Sequence, residues 1–381
     1  MEKNDRMNVL QFITPAGLHG AEMWILALAK NFDPRKVNCQ LAVTLESEDQ
    51  NIEVYHRFRA VGLEAHQIKM RGRFDPKGIM AICQLIREKK IDIIHTHGYK
   101  SDILGLIAAR ITGIKAVSTP HGFDNVKNFK LQLFIRLGCL ASRFFDQVAP
   151  LSEELESDMY RFGVSPAKVR MIMNGVDLDE IESEKRKDTF PTYQNSDEKR
   201  IGYVGQLIYR KRVDHLIDTF DLLYREHKNI RLIIIGDGPK RSELEEKARS
   251  LPSASRIEFL GYREDRLRLV RELNLFCMTS SLEGIPRCMM EAMGMGIPVA
   301  AYNIPGVDKL IIHEKTGLMA QSGQVEELKE CWERLLSDEA FSTQIALNSR
   351  QHVMENFSAG RMAHEYAGLY HKTLRRSGDS E

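Results

Sequence analysis

Two carboxylates eight positions apart, Glu283 and Glu291, stand in the stretch Thr279 to Ala301, TSSLEGIPRCMMEAMGMGIPVAA. The stretch reads as an exposed loop, a short helix and a buried strand, with Glu283 in the loop and Glu291 inside the helix. Gly284 and Pro286 make a tight approach and pre-set the first helical residues. A helix N-terminus reached in this way presents unpaired N–H groups and a partial positive charge, which suits a phosphate. Flanking carboxylates suit the hydroxyls of a sugar nucleotide. Glutamates that only cap and solvate a helix would have the same spacing, so this stretch alone leaves both readings open. A second group, Arg210, Lys211 and Arg212, follows a strand ending in Gly205-Gln206-Leu207 and opens a helix. That is the placement of a diphosphate clamp, although basic triplets are also common on solvated surfaces. Histidines close two strands: His95 and His97 end IDIIHTH, and His121 with Gly122 ends VSTPHG, while Asn174-Gly175 ends VRMIMNG. His121 ranks first among them, because Gly122 leaves room for a ligand and Pro120 stiffens the approach. The sequence offers no Ser–His–Asp or Cys–His set.

The elements that must carry these residues alternate short apolar runs with helical patterns. Met7 to Ile13 is a strand followed by the glycine loop Thr14 to Gly20 and a helix with Ala21, Trp24, Ile25, Leu28 and Ala29 at helical spacing. The loop lacks GxGxxG, but Gly17 and Gly20 bracket His19 and allow close approach to the backbone. Further strands are expected at 37–44, 66–69, 92–96, 116–119, 147–150 and 169–173. The polar run from Val176 to Arg200 reads as a connector. A second strand–helix set begins at Ile201, with strands at 201–204, 232–235, 257–260 and 273–278, and with Gly236-Asp237-Gly238-Pro239 after the second of these. The pattern is that of parallel α/β sheets covered on both faces, whose ligands bind beyond the carboxyl ends of the strands. Ser358 to Arg375 is an amphipathic helix that is expected to pack back on the first domain.

The chain of 381 residues suggests two domains, and 43% hydrophobic with 28% charged residues is the composition of a soluble globular protein. A net charge of +1 makes no case for nucleic acid. Between Arg57 and Arg143, however, 16 Lys/Arg face 6 Asp/Glu. Val126 to Phe145 alternates Lys127, Lys130, Arg136 and Arg143 with large apolar residues, which fits either a peripheral membrane contact or a core helix with a basic face. The six cysteines show no CxxC and read as buried thiols of a reducing compartment. With no leader at Met1 to Arg6 and no apolar run of spanning length, the expectation is a cytoplasmic protein, peripheral at most to a membrane.

With these pieces in order, the chain resembles the retaining glycosyltransferases of the GT-B fold that carry the E-x7-E motif (glycosyltransferase family 4, GT4). The resemblance runs over nearly the whole chain and rests on GLHGAE, TPHG, NGVD, VGQLIYRKRVDHLIDTF, IIIGDGP, LGY and SLEGIPRCMMEAMGMGIPVAA in that order. It implies two Rossmann-like domains facing across a cleft: 1–180 for the acceptor, a linker at 181–199, 200–356 for the nucleotide sugar, and a crossover helix and tail at 357–381. It implies that Lys211 grips the donor diphosphate, that Glu291 holds the ribose hydroxyls, and that Glu283 with the backbone of Gly284, Ile285 and Pro286 holds the transferred sugar. The N–H groups of Arg287 and Cys288 would take the distal phosphate, and the backbone near Tyr262 and Arg263 the base, with Gly238 in the same donor site. Gly17 and Gly20 would lie against donor phosphate and His121 beside the reacting sugar, so that His121, Glu283 and Lys211 form the catalytic set. The family's arginine after the VG pair is Gln206 here, and Arg212 stands where a glycine is common, so Arg210 is the expected substitute cation. The implied reaction moves a hexose from UDP or GDP to an acceptor hydroxyl with retention, in polysaccharide or glycolipid assembly, on a glycan or lipid-linked acceptor. No metal and no cofactor are expected, and Asp177-Leu178-Asp179 is read as a decoy of the DxD metal motif. The alternatives are a sugar-nucleotide epimerase or hydrolase of the same fold, and a nucleotide-sugar-binding module weakened at Gln206.

Overall fold

A computed structural model describes residues 6–15, 17, 20–72, 75–121, 138–187 and 197–375. The chain forms two units, Met1–Gly175 with Ala359–Glu381, and Val176–Ser358.

The first unit is built on β1 (Met7–Ile13), β2 (Val37–Leu45), β3 (Ala65–Lys69), β4 (Ile93–His97), β5 (Lys115–Ser118) and β6 (Gln147–Val148). These pair in the order β3-β2-β1-β4-β5-β6, and every pair is parallel. Val9 is in register with Cys39 on one side and Ile93 on the other. The strands read as near-continuous apolar runs because helices bury both faces of the sheet. On one face the helix Gly20–Lys30 packs with the C-terminal helix Ala359–Arg375, so Trp24, Ile25 and Leu28 share a core with Met362, Tyr366, Leu369 and Tyr370. The return of the amphipathic tail to the first domain is thus observed.

The second unit repeats the plan with β7 (Lys199–Val204), β8 (Ile230–Ile235), β9 (Ile257–Gly261), β10 (Leu275–Met278), β11 (Val299–Asn303) and β12 (Leu318–Gln321). Their order is β12-β11-β10-β7-β8-β9, again all parallel, with Ile201 opposite both Leu275 and Leu232. The turn after β8 requires glycine: at Gly236, with φ +141°, a Cβ would lie 1.8 Å from the Gly205 carbonyl oxygen.

Two expectations change. Residues 169–173 do not form a strand; Val169 makes only an isolated bridge to Val148. The connector holds a helix, Leu178–Arg186, started by Asp177, whose carboxylate accepts the N–H groups of Asp179 and Glu180. That helix has few apolar residues, because Ile181 is its one fully buried hydrophobic anchor, and so it reads as linker. This helix belongs to the second unit, since the first segment of the first unit runs to Gly175. The Val176 N–H donates to the Phe357 carbonyl at 2.8 Å, which ties the start of the second unit to its end. The segment 188–196 of the expected linker, Leu18 and His19, and most of the basic stretch 126–145 lie outside the described residues.

Candidate functional site

In each sheet the strand order reverses between two neighbours, the point at whose carboxyl ends open parallel sheets bind their ligands. In the second unit these neighbours are β7 and β10. The segments leaving them are the cation loop and the Glu283 loop, so the topology brings the two sequence-predicted groups together.

The backbone stitches these segments. The Ser281 N–H and hydroxyl both donate to the Arg210 carbonyl, at 2.8 and 3.1 Å. The Thr279 hydroxyl meets the carbonyls of Lys211 and Arg212, at 3.1 and 2.8 Å. Lys211 Nζ thereby forms an ion pair with Glu283 Oε1, both side chains being about nine-tenths removed from solvent. Arg212 adopts φ +46°, in the left-handed region that glycine enters without cost. Its guanidinium turns back onto Asp214 and His215. Arg210 is exposed, and its guanidinium makes no hydrogen bond among the described residues, which leaves it available to an anion. Gln206 is exposed as well.

Beyond the loop, the helix Arg287–Met295 begins at Pro286 with no side chain hydrogen-bonded at its cap, and its first-turn N–H groups have no intrahelical partner. The Cys288 thiol in that turn is pushed up to about 12 by burial and stays protonated at neutral pH. Glu291 is almost fully buried and gripped by two guanidiniums: Arg266 through Nη2 at 2.7 Å and Nε at 3.2 Å, and Arg287 through Nε at 2.8 Å. Burial alone would raise its pKa, but the charges of Arg287 and Arg266 outweigh burial and hold the carboxyl below the ordinary 4.5. A lowered folded pKa means that this cluster stabilises the protein fully above the unfolded-state value and loses that contribution as pH falls through the folded value. The melting temperature of the wild type is therefore expected to drop more steeply than that of Glu291→Gln below about pH 4.5. Parallel curves in scanning calorimetry would contradict the assignment.

Gly284 does not supply the turn chemistry expected of it: its φ is not positive, and a Cβ there meets nothing within 4 Å. The residue that must be glycine is Gly306, with φ +88°, where a Cβ would sit 1.8 Å from the Gly284 carbonyl oxygen and 2.9 Å from that of Glu283. Gly238 is pressed in the same way against Leu207, whose carbonyl oxygen would be 2.5 Å from a Cβ. Tyr262 is exposed at the end of β9, and Arg263 pairs with Asp265 at 2.7 and 2.8 Å. Ile285 is buried.

The first unit places its histidines at the reversal point between β1 and β4. His97 Nδ1 lies 3.1 Å from His121 Nε2, and Trp24 packs against both rings and against His95. His95 and His97 are buried, and burial drives all three imidazoles down, His121 to about 4, so they are neutral at pH 7. Gly20 opens the first helix, and a Cβ there would meet nothing, so packing does not require that glycine. Gly17 has φ +155°.

Sequence reasoning missed Arg266 and Gly306, whose partners lie distant along the chain. It also passed over Gln11, although one buried amide in the apolar strand MNVLQFI is a legible signal. Asp177, from the DxD look-alike, is a helix cap. Among the described residues one group has metal-ligand spacing, Glu226, His227 and Glu333 on the surface, and Lys329 already pairs with both of its carboxylates.

Residues 184–352 match the family described as Glycosyl transferases group 1, and residues 18–180 match Glycosyltransferase Family 4. The UDP-Gal:alpha-D-GlcNAc-diphosphoundecaprenol alpha-1,3-galactosyltransferase of Escherichia coli is 25% identical over 313 residues, covering 78% of this chain and 79% of that protein. The capsular polysaccharide biosynthesis glycosyltransferase CapM of Staphylococcus aureus is 23% identical over 328 residues, 82% of this chain and 86% of its own. Among solved structures, Anabaena Alr3699/HepE in complex with UDP-glucose matches with a TM-score of 0.79 at 21% identity, over 96% of this chain and 100% of that one. Likeness of that extent establishes a common fold.

Proposed function

We propose that this chain, a glycosyltransferase by its two domain matches and of the GT-B fold by its structural neighbours, moves a hexosyl unit from a UDP- or GDP-sugar to a hydroxyl of a glycan or lipid-linked acceptor, with retention. The observation that carries the reading is the Lys211–Glu283 ion pair beside the uncapped N-terminus of Arg287–Met295, with ionised Glu291 in the same helix. A diphosphate that meets Lys211, Arg210 and the first-turn N–H groups releases Glu283 to the sugar hydroxyls. Glu291 keeps lone pairs for the ribose. In the transfer step the acceptor oxygen bonds to the anomeric carbon as the bond to the diphosphate breaks on the same face, and the hydroxyl proton passes to the departing phosphate. The chain's cations and helix dipole stabilise the leaving charge, work that a divalent metal does in other transferases. The neutral residue at Gln206 makes Arg210 the second cation of the clamp. Epimerase and hydrolase readings draw no support from the domain matches.

Calorimetric titration with UDP, GDP, ADP and their hexose conjugates in EDTA tests this. Micromolar binding of one nucleotide is the expected result. Binding by none would overturn the donor site, and binding only after a divalent metal is restored would overturn metal independence. No helix among the described residues is long and apolar enough to cross a membrane. We assign the cationic balance of 57–143 to contact with an anionic membrane surface where the acceptor is lipid-linked. Partial co-sedimentation with anionic liposomes at low salt is expected, and its absence would remove the assignment.

A further inference from the structure

The polar side chains at the reversal point of the first sheet form one unbroken hydrogen-bonded chain, His121–His97–Gln11–Tyr370–His95–Thr119–Tyr366. It joins β1, β4, the end of β5 and the C-terminal helix. All its members but His121 are buried. Burial keeps the imidazoles uncharged, so each ring has one N–H and one lone pair.

One amide sets the direction of the whole chain. Gln11 Oε1 faces His97 Nε2 at 2.7 Å, and Gln11 Nε2 faces the Tyr370 hydroxyl at 3.2 Å. A carbonyl oxygen only accepts, so His97 donates from Nε2 and carries its lone pair on Nδ1. That lone pair lies 3.1 Å from His121 Nε2, which must therefore be the protonated nitrogen. On the other side Tyr370 accepts from the amide, which leaves its O–H free to donate to His95 Nδ1 at 2.7 Å, and His95 Nε2 then donates to Thr119 at 2.8 Å. His121 is left with an unprotonated Nδ1 that makes no hydrogen bond among the described residues. Trp24 stands edge-on to the His121 ring with centroids 5.1 Å apart, and restricts its rotation.

We propose that Gln11, acting through His97, is the positioning residue that fixes His121 as the Nε2–H tautomer, so that Nδ1 offers an acceptor to a ligand hydroxyl. A lone pair there attracts the O–H of a sugar or acceptor and repels the oxygens of a phosphate. The ligand class assigned to His121 is therefore a hydroxyl and not the diphosphate. This rests on the reading that His121 meets substrate. Were the Gln11 amide turned over, every donor in the chain would reverse and His121 would present an N–H suited to an oxyanion.

The test is a two-bond ¹H–¹⁵N correlation spectrum of the full-length protein labelled at histidine, at about pH 7.5 where the rings are neutral. His121 and His97 are assigned from the spectra of His121→Gln and His97→Gln. The expected result is protonated Nε2 and unprotonated Nδ1 on His121. In Gln11→Leu both rings should move toward the averaged shifts of two exchanging tautomers, with ring N–H exchange at least tenfold faster. Tyr370→Phe, which frees the amide to turn while keeping the ring, should cause the same averaging if Gln11→Leu does not fold. Nδ1–H on His121 of the wild type would overturn the proposal, as would unchanged His121 shifts in a folded Gln11→Leu. The tautomer stands independently of the transferase reading, which fails instead if UDP and its congeners do not bind.

Discussion

Replacing Lys211 by alanine is expected to lower the affinity for UDP by about two orders of magnitude, because a hydrogen bond to a charged group contributes roughly 1.5–3 kcal/mol. Stranding the buried Glu283 should also lower the melting temperature by several degrees while the protein stays folded. In the free protein Lys211 neutralises Glu283, and both are nearly buried. Without the amine the site presents an unpaired carboxylate to an incoming diphosphate, so the variant loses an attraction and gains a repulsion. The reciprocal change separates the two roles. Glu283→Gln removes the partner that the diphosphate must displace, so UDP should bind as tightly or more tightly. The extra affinity that a hexose conjugate gains over UDP should disappear, since the amide cannot accept as strongly from sugar hydroxyls. Titration calorimetry of both variants with UDP and UDP-glucose reads the pattern. Wild-type UDP affinity in Lys211→Ala would mean that the diphosphate is held elsewhere.

Gly306→Ala should be nearly as damaging, though residue 306 offers no functional side chain. Its Cβ would have to occupy the space of the Gly284 carbonyl, 1.8 Å away, at φ +88°. The loop carrying Glu283 must shift, and a displacement of about 1 Å in a positioning group can cost about 100-fold in rate. Backbone strain adds roughly 1–2 kcal/mol of lost stability. Gly296→Ala is the control. Gly296 has φ +77°, and its Cβ would meet only the flexible Arg350 side chain at 4.0 Å, so it bears similar strain without touching the loop. Both variants should melt at lower temperature, and only Gly306→Ala should lose UDP-glucose binding. Equal binding by the two would show that the loop yields without consequence.

Elements with strong local periodicity were legible in the sequence. Apart from 169–173, the apolar strands and the helix bearing Glu291 lie where spacing puts them. Elements held by other means were not. The Leu178–Arg186 helix depends on the Asp177 cap and a single buried Ile181, so it carries almost no apolar stripe. The partners of the site residues were equally hidden, because their contacts cross the chain: Arg266 reaches Glu291 over 25 positions, and Tyr370 reaches His95 over 275. Gly306 looks like any turn glycine until its neighbour's carbonyl is located. Arg212 shows the reverse case, a sequence anomaly with a structural meaning, since a non-glycine residue there must hold a left-handed backbone.

The routing of the chain gives the two units unequal histories. Val176 and Ser358 sit side by side in an isolated bridge, so the second unit is one uninterrupted segment with adjoining ends. The first unit is divided, and Tyr366 and Tyr370 of its core arrive only after that entire segment has been made. A ribosome therefore releases a complete second unit while the first still lacks one wall of its core. During synthesis the domain that begins first is the one that finishes last, and until then the apolar face of Trp24, Ile25 and Leu28 stands open to other chains.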